Sequence, residues 1–187
     1  MYNIKKLSKL LPINIEDKEL NFLTLEDVNE YSKIVKTEYY NRYINLDYNG
    51  YTLSKIKKGF SILANNYSVL LEDNLEAKLL LKDKNNANKI IYGGATLYES
   101  LIQDASVIEI GYWINEKYTN IGLCTKMLTE LINALKTSDI NIHYLKCTVQ
   151  ACNDISMHIM DKLGFKKYRT ISGMKEINFE YILYLYK

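Results

Sequence analysis

The sequence predicts one α/β (α+β) domain over residues 1–187, built on a mixed, mostly antiparallel sheet flanked by helices. Three observations carry that expectation. A chain of 187 residues with 48% hydrophobic and 25% charged side chains suits one domain with a sizeable core. Short β-rich runs and helical patterns alternate along its whole length, with no linker and no internal repeat. Between Ser106 and Lys136 the hydrophobic period changes from that of a strand to that of a helix. Ile108, Ile110, Tyr112 and Ile114 alternate with Val107, Glu109, Gly111 and Trp113. Leu123, Met127, Leu128, Leu131, Ile132 and Leu135 then recur at helical spacing.

In chain order, Ile4, Leu7, Leu10 and Leu11 suggest a short amphipathic turn ended by Pro12. Leu20 to Leu23 reads as a first strand. Thr24, with Asp27 three residues on, is placed to cap a helix running to about Lys36. A polar and aromatic segment, Thr37 to Tyr51, carries the turn signal Asn49-Gly50. Thr52 caps a second helix whose apolar face is Ile56, Phe60, Ile62 and Leu63. Of the runs Val69-Leu70-Leu71 and Lys78 to Leu81, one or both are strands. The turn-rich Asp83 to Asn88 leads into a strand from Lys89 to Tyr98, so a hairpin is expected. Gly93-Gly94 inside that strand points to a bulge or a close backbone approach. Ile142 to Val149 is β-rich, Asn153 caps a helix ending at Gly164, and Lys166–Ile171 and Ile177–Tyr186 form a closing hairpin.

Charge and cysteine usage bound the function. Twenty-four basic residues face 22 acidic ones, a net charge of +2 without blocks of like charge, so neither nucleic acid nor a membrane surface is indicated as partner. The apolar runs are far shorter than a membrane span. The N-terminal MYNIKKLSKLLPIN lacks the continuous apolar core and small-residue cleavage site of a secretion signal. Cys124, Cys147 and Cys152 form no C-x-x-C pair and leave an odd count, which favours free thiols and a cytoplasmic location.

Several groups have candidate chemistry. A strand that feeds a loop opening a helix makes an anion site, because first-turn N–H groups and the positive end of the helix dipole face the loop. Gly122 stands where that helix begins; it either lets a ligand approach bare backbone or simply eases a tight turn. The loop is neither G-x-x-x-x-G-K-[ST] nor G-x-G-x-x-G. Glu109, mid-strand beside Gly111 and Trp113, is either a solvent-facing charge or a partly desolvated carboxylate suited to general base work. Asn153 and Ser156 stand in a capping relationship. His143 with Cys147, and Cys152 with His158, match no ordinary zinc spacing, so no metal is expected. Cys124 lies near a helix start but has no neighbouring histidine, which favours packing over nucleophilic work.

Taken together, EIGYWI with N-I-G-L-C-T-K-M-L, followed by N-D-I-S and D-K-L-G-F, resembles the GNAT superfamily of acetyl-CoA-dependent N-acetyltransferases. The nearest look is that of the Rim-type ribosomal-protein N-terminal acetyltransferases. The resemblance is strongest over Glu109–Lys136 and Asn153–Phe165 and extends to the order of elements from Leu20 onward. It implies a splayed sheet and acetyl-CoA as co-substrate. The CoA pyrophosphate would lie on the loop Thr119, Asn120, Ile121, Gly122, Leu123, Cys124 and Thr125. The pantetheine arm would pair with the backbone of Tyr112, Trp113 and Ile114, and Asn153 would hold the cofactor from the other side.

The resemblance also implies a reaction: an acetyl group moves to a primary amine, either a protein N-terminal α-amine or a small amine such as a polyamine, amino sugar or antibiotic, with Glu109 as base and Ser156 as donor to the leaving thiolate. A non-catalytic acetyl-CoA-binding module is the alternative, and a homodimer is left open. The chain departs from the family pattern in four places. Thr119 replaces a long polar residue, Asn120 stands where glycine is frequent, Cys124 replaces a small residue, and Met160 stands where many relatives carry a tyrosine acid.

Overall fold

The N-terminal strands open the sheet with a tight hairpin. In the computed structural model, which describes residues 6–42, 48, 50–69, 76–84, 89–99, 107–173 and 176–185, β1 (Ile13–Ile15) pairs antiparallel with β2 (Lys18–Phe22). The turn between them places Glu16 at φ 57. Sequence reading found only the second of these strands. β1 is three residues long and too short to show alternation. Then follow α1 (Val28–Ile34), α2 (Glu38–Asn41), α3 (Leu53–Val69), β3 (Glu76–Asp83), β4 (Ile91–Glu99), β5 (Val107–Ile114), α4 (Leu123–Lys136), β6 (Tyr144–Gln150), α5 (Asp154–Lys162), β7 (Lys166–Ser172) and β8 (Ile177–Tyr184). Leu70 and Leu71, residues 85–88, and residues 43–47 and 49 of the segment Thr37 to Tyr51 lie outside the described residues.

The strands form one sheet in the order β1-β2-β3-β4-β5-β6-β8-β7. Its described pairings are antiparallel except β5 with β6, which run parallel. The sheet is open, and each face carries its own core. On one face, Leu123, Met127, Leu128, Leu131, Ile132 and Leu135 of α4 are all buried against Ile108, Ile110 and Leu145. Each such side chain contributes about 1.5–3 kcal/mol on burial. The six together anchor α4, and its N-terminus is therefore a fixed platform. On the other face, α1 and α3 bury Tyr31, Ile56, Phe60, Ala64 and Tyr67 around Trp113 and Leu80. Ile62, expected on the apolar face of α3, is 54% exposed, and Ala64 and Tyr67 take its place inside.

Local chemistry explains the ends of these elements. Thr52 Oγ1 accepts from the Lys55 N–H and caps α3 as expected. The start of α1 differs: Asp27 is its N-cap residue, and its carboxylate receives the Thr24 N–H and hydroxyl at 2.8 and 2.7 Å. The Lys82 ammonium, 2.8 Å from the same oxygen, draws Asp27 inward. α5 closes as a Schellman turn, with Gly164 at φ 83 bonding Asp161 and Phe165 bonding Met160. At Gly93 and Gly94 both sequence expectations hold. The β3–β4 register shifts beside them, and an added Cβ would lie 2.6 Å from Trp113 O or 2.4 Å from Leu79 O.

Candidate active site

The only described parallel pairing is also the shortest between long strands. β5 meets β6 through Val107, Ile108 and Glu109 against Tyr144, Leu145 and Lys146, and the described pairing stops there. From Ile110 to Ile114, β5 keeps β4 on one side while the side toward β6 opens. The sheet splays into a fork, with α4 beginning beside one arm and α5 beside the other.

The loop entering α4 is shaped by its backbone. Asn115 caps a single 3-10 turn over Glu116–Tyr118, and Asn120 and Gly122 then take φ 62 and 76. Asparagine is among the few side chains that tolerate the left-handed region, which suits Asn120 to a place where the family favours glycine. Gly122 is the N-cap, supplies no side-chain cap, and has nothing within 4 Å of the position a Cβ would occupy. The first hydrogen bond of the helix runs from Lys126 N–H to Gly122 O, so the N–H groups of Leu123, Cys124 and Thr125 have no helical acceptor. Open space above uncapped N–H groups at the positive end of a 14-residue helix fits an anion such as a pyrophosphate.

On the other arm, Asn153 Oδ1 accepts from the Ser156 N–H at 3.1 Å, the expected cap. Ser156 is half-buried, and the Tyr112 hydroxyl donates to its carbonyl at 3.4 Å, tying β5 to α5. Burial pushes the Tyr112 phenol well above its usual range. The structure therefore brings together Tyr112, Ser156 and the α4 loop. Trp113, in contrast, turns its ring away, stacking 5.7 Å from Tyr31 and packing edge-on 5.2 Å from Tyr40. Only its backbone belongs to the fork. Met160 is fully buried, so that position carries core packing and no proton donor.

Glu109 sits on the last paired rung, pointing to the α1/α3 face with Gly111 and Trp113. Lys146 Nζ lies 2.8 Å from its Oε2, and Thr148 Oγ1 donates to its Oε1 at 3.0 Å. Lys146 also reaches Glu180 at 3.8 Å, which Arg169 holds at 3.1 Å. Sequence reading missed these partners. The alternation of Tyr144–Gln150 puts Lys146 and Thr148 on one face, but only the register names the carboxylate they meet. Burial pushes the Cys124 thiol up to about 12, against a nucleophilic thiolate and in line with packing. Among the described residues no group of three His, Cys, Asp or Glu side chains could hold a metal ion.

A forked sheet with an uncapped helix N-terminus at its mouth, and a carboxylate on the last paired rung, is the arrangement the described residues show. The sequence model of one family, described as "Acetyltransferase (GNAT) domain", matches residues 19–166. The chain belongs to this family of acetyl-CoA-dependent N-acetyltransferases.

Solved structures of similar fold agree. The RimL ribosomal L7/L12 α-N-protein acetyltransferase bound to coenzyme A has a TM-score of 0.75 at 14% identity, covering 92% of this chain and 97% of that one. The Vibrio cholerae spermidine N-acetyltransferase with CoA and spermine has 0.69 at 17%, covering 90% and 96%. The microcin C7 self-immunity acetyltransferase MccE with acetyl-CoA and AMP has 0.71 at 15%, covering 92% and 94%. No curated protein matches the chain. Among the described residues, no helix is long and apolar enough to cross a membrane.

Proposed function

We propose that this chain moves the acetyl group of acetyl-CoA to a primary amine, with Glu109 as the base. The observation that supports it most is the position of Glu109. It is a carboxylate about a third exposed on the last rung before the sheet opens, already holding an alkylammonium in the form of Lys146. A primary amine is mostly protonated near neutral pH, with a pKa near 8 for an α-amine and above 10 for a lysine-like amine. It must lose a proton before it can attack a carbonyl. Glu109 takes that proton from the amine onto Oε2 once the amine displaces Lys146, while Thr148 keeps the other oxygen oriented.

Bound acetyl-CoA supplies the acyl carbon and a thiolate leaving group. The N–H groups of Leu123, Cys124 and Thr125 hold its pyrophosphate, with Thr119, Asn120 and Ile121 shaping the loop. The open side of Tyr112, Trp113 and Ile114 offers backbone groups to the amide-bearing arm, in the manner of an added strand. Backbone N–H groups near the fork polarise the carbonyl. Ser156 donates a proton toward the departing sulfur from the α5 side, and Asn153 fixes the helix turn that presents it.

CoA-thiol release by wild type and Glu109→Gln, each with acetyl-CoA affinity measured by calorimetry, tests the assignment. Loss of turnover at unchanged affinity is expected. Unchanged turnover across pH would remove Glu109 from this role, and tight acetyl-CoA binding without turnover of any amine or peptide would make the chain a binding module.

A further inference from the structure

The Cα register places Glu109 of β5 opposite Lys146 of β6, Thr148 of β6 opposite Glu180 of β8, and Glu180 opposite Arg169 of β7. Direct partners on adjacent strands project to the same face, and Lys146 and Thr148 share theirs by the alternation of β6. Four charges of alternating sign therefore cross the sheet away from the fork: Glu109, Lys146, Glu180 and Arg169. Lys146 Nζ stands between two carboxylates, 2.8 Å from Glu109 Oε2 and 3.8 Å from Glu180 Oε2. Arg169 holds Glu180 from the other side, its Nε 3.1 Å from Oε1.

The two carboxylates differ in what they can lose. Glu109 is open to solvent, so its ion pair can be exchanged. The Glu180 side chain is only 5% exposed, and a carboxylate so buried gains from every cation within reach. The Lys146 side chain is 29% exposed and needs to move by only about 1 Å to bring its contact with Glu180 to hydrogen-bond length. By leaving Glu109 for Glu180 it exchanges one ion pair for another. Opening the base in this way strands no charge.

We propose that Lys146 is a mobile counter-ion of the acceptor site, covering Glu109 while no amine is bound and shifting to Glu180 when the acceptor ammonium arrives. This rests on the acetyltransferase reading with Glu109 as base. Lys146, Glu180 and Arg169 are positioning residues, which act through Glu109 and touch no reacting atom. Arg169 sets the balance, because it competes with Lys146 for Glu180. The tighter its hold, the more Lys146 stays on the base.

The test is the acceptor's KM and kcat, by CoA-thiol release, for whichever 1-aminoalkanes and short peptides with a free N-terminus are turned over. Glu180→Gln and Arg169→Gln are each made in wild type and in Lys146→Met. A charged hydrogen bond is worth a factor of about ten. Lys146→Met is expected to lower KM by about that factor, because the amine no longer displaces an ammonium. Glu180→Gln, checked for unchanged melting temperature, is expected to raise KM about tenfold through KM and not kcat, and to lose this effect in Lys146→Met. Arg169→Gln is expected to lower KM about two- to threefold, again in wild type alone. Arg169 has a side chain 61% exposed, so this variant serves even where Glu180→Gln does not fold. Three results each overturn the inference and leave the transferase reading standing: a KM that Lys146→Met does not lower, a KM that neither partner variant shifts in wild type, or shifts that persist in Lys146→Met. Failure with every amine and peptide while acetyl-CoA binds overturns both.

Discussion

Asp27–Lys82 and Glu109–Lys146 are the same chemical pair at the same 2.8 Å, yet they stand in opposite surroundings. The side chains of Asp27 and Lys82 are 3% and 5% exposed, closed between α1 and the sheet, and Asp27 also receives both donors of Thr24. Those of the second are about a third exposed and stand where the sheet opens. A carboxylate–ammonium pair sealed from water is a structural joint, because losing one partner strands the other in a low dielectric. A pair open to solvent contributes little to stability and can be exchanged. Burial separates the joint from the working group here; distance does not.

Removing one partner from each pair should sharpen that contrast. The largest effect is expected from Lys82→Met, about 3–5 kcal/mol of lost stability in denaturant unfolding, because Asp27 keeps its charge without its counter-ion. A melting curve like that of wild type would show that the buried pair is dispensable. Glu109→Gln should do the reverse. Turnover falls about 100-fold or more, while stability changes by about 1 kcal/mol or less. If the rate persists and the protein melts early, the roles of the two pairs are exchanged.

Smaller effects test the fork. Gly122→Val forces a β-branched residue to φ 76 and costs about 1–2 kcal/mol. That strain should appear chiefly as weaker acetyl-CoA binding, and unaltered affinity would detach the loop from the cofactor. Ser156→Ala should be the mildest, about tenfold in kcat and below the usual range for acid catalysis, because a thiolate leaves with little help. A loss equal to that of Glu109→Gln would make the proton donor as important as the base.

Much of this arrangement was legible before any fold was in view, and the parts that were not share a cause. The six buried positions of α4, the Asn153 cap, the Gly164 stop and the crowded Gly93-Gly94 pair are each written in a few neighbouring residues. Local periodicity, capping and the steric freedom of glycine decide them. Ile62 falls outside the buried stripe at 54% exposure because helical spacing gives a stripe and not its edges. The local sequence points to Thr24 as the cap because nothing in it shows Lys82, 55 residues away, drawing Asp27 inward.

The sequence by itself therefore determined the longer elements, the caps of α3 and α5 and the backbone character of the loop before α4. These depend on contacts within about one helical turn or one strand. Only the tertiary structure decided that Glu109 meets Lys146 and Thr148, that Trp113 turns its ring into the α1/α3 core, and that Glu180 stands within reach of Lys146. Those facts follow from strand order and register. A shift of one residue in register reverses which face every side chain serves, and no local pattern encodes it.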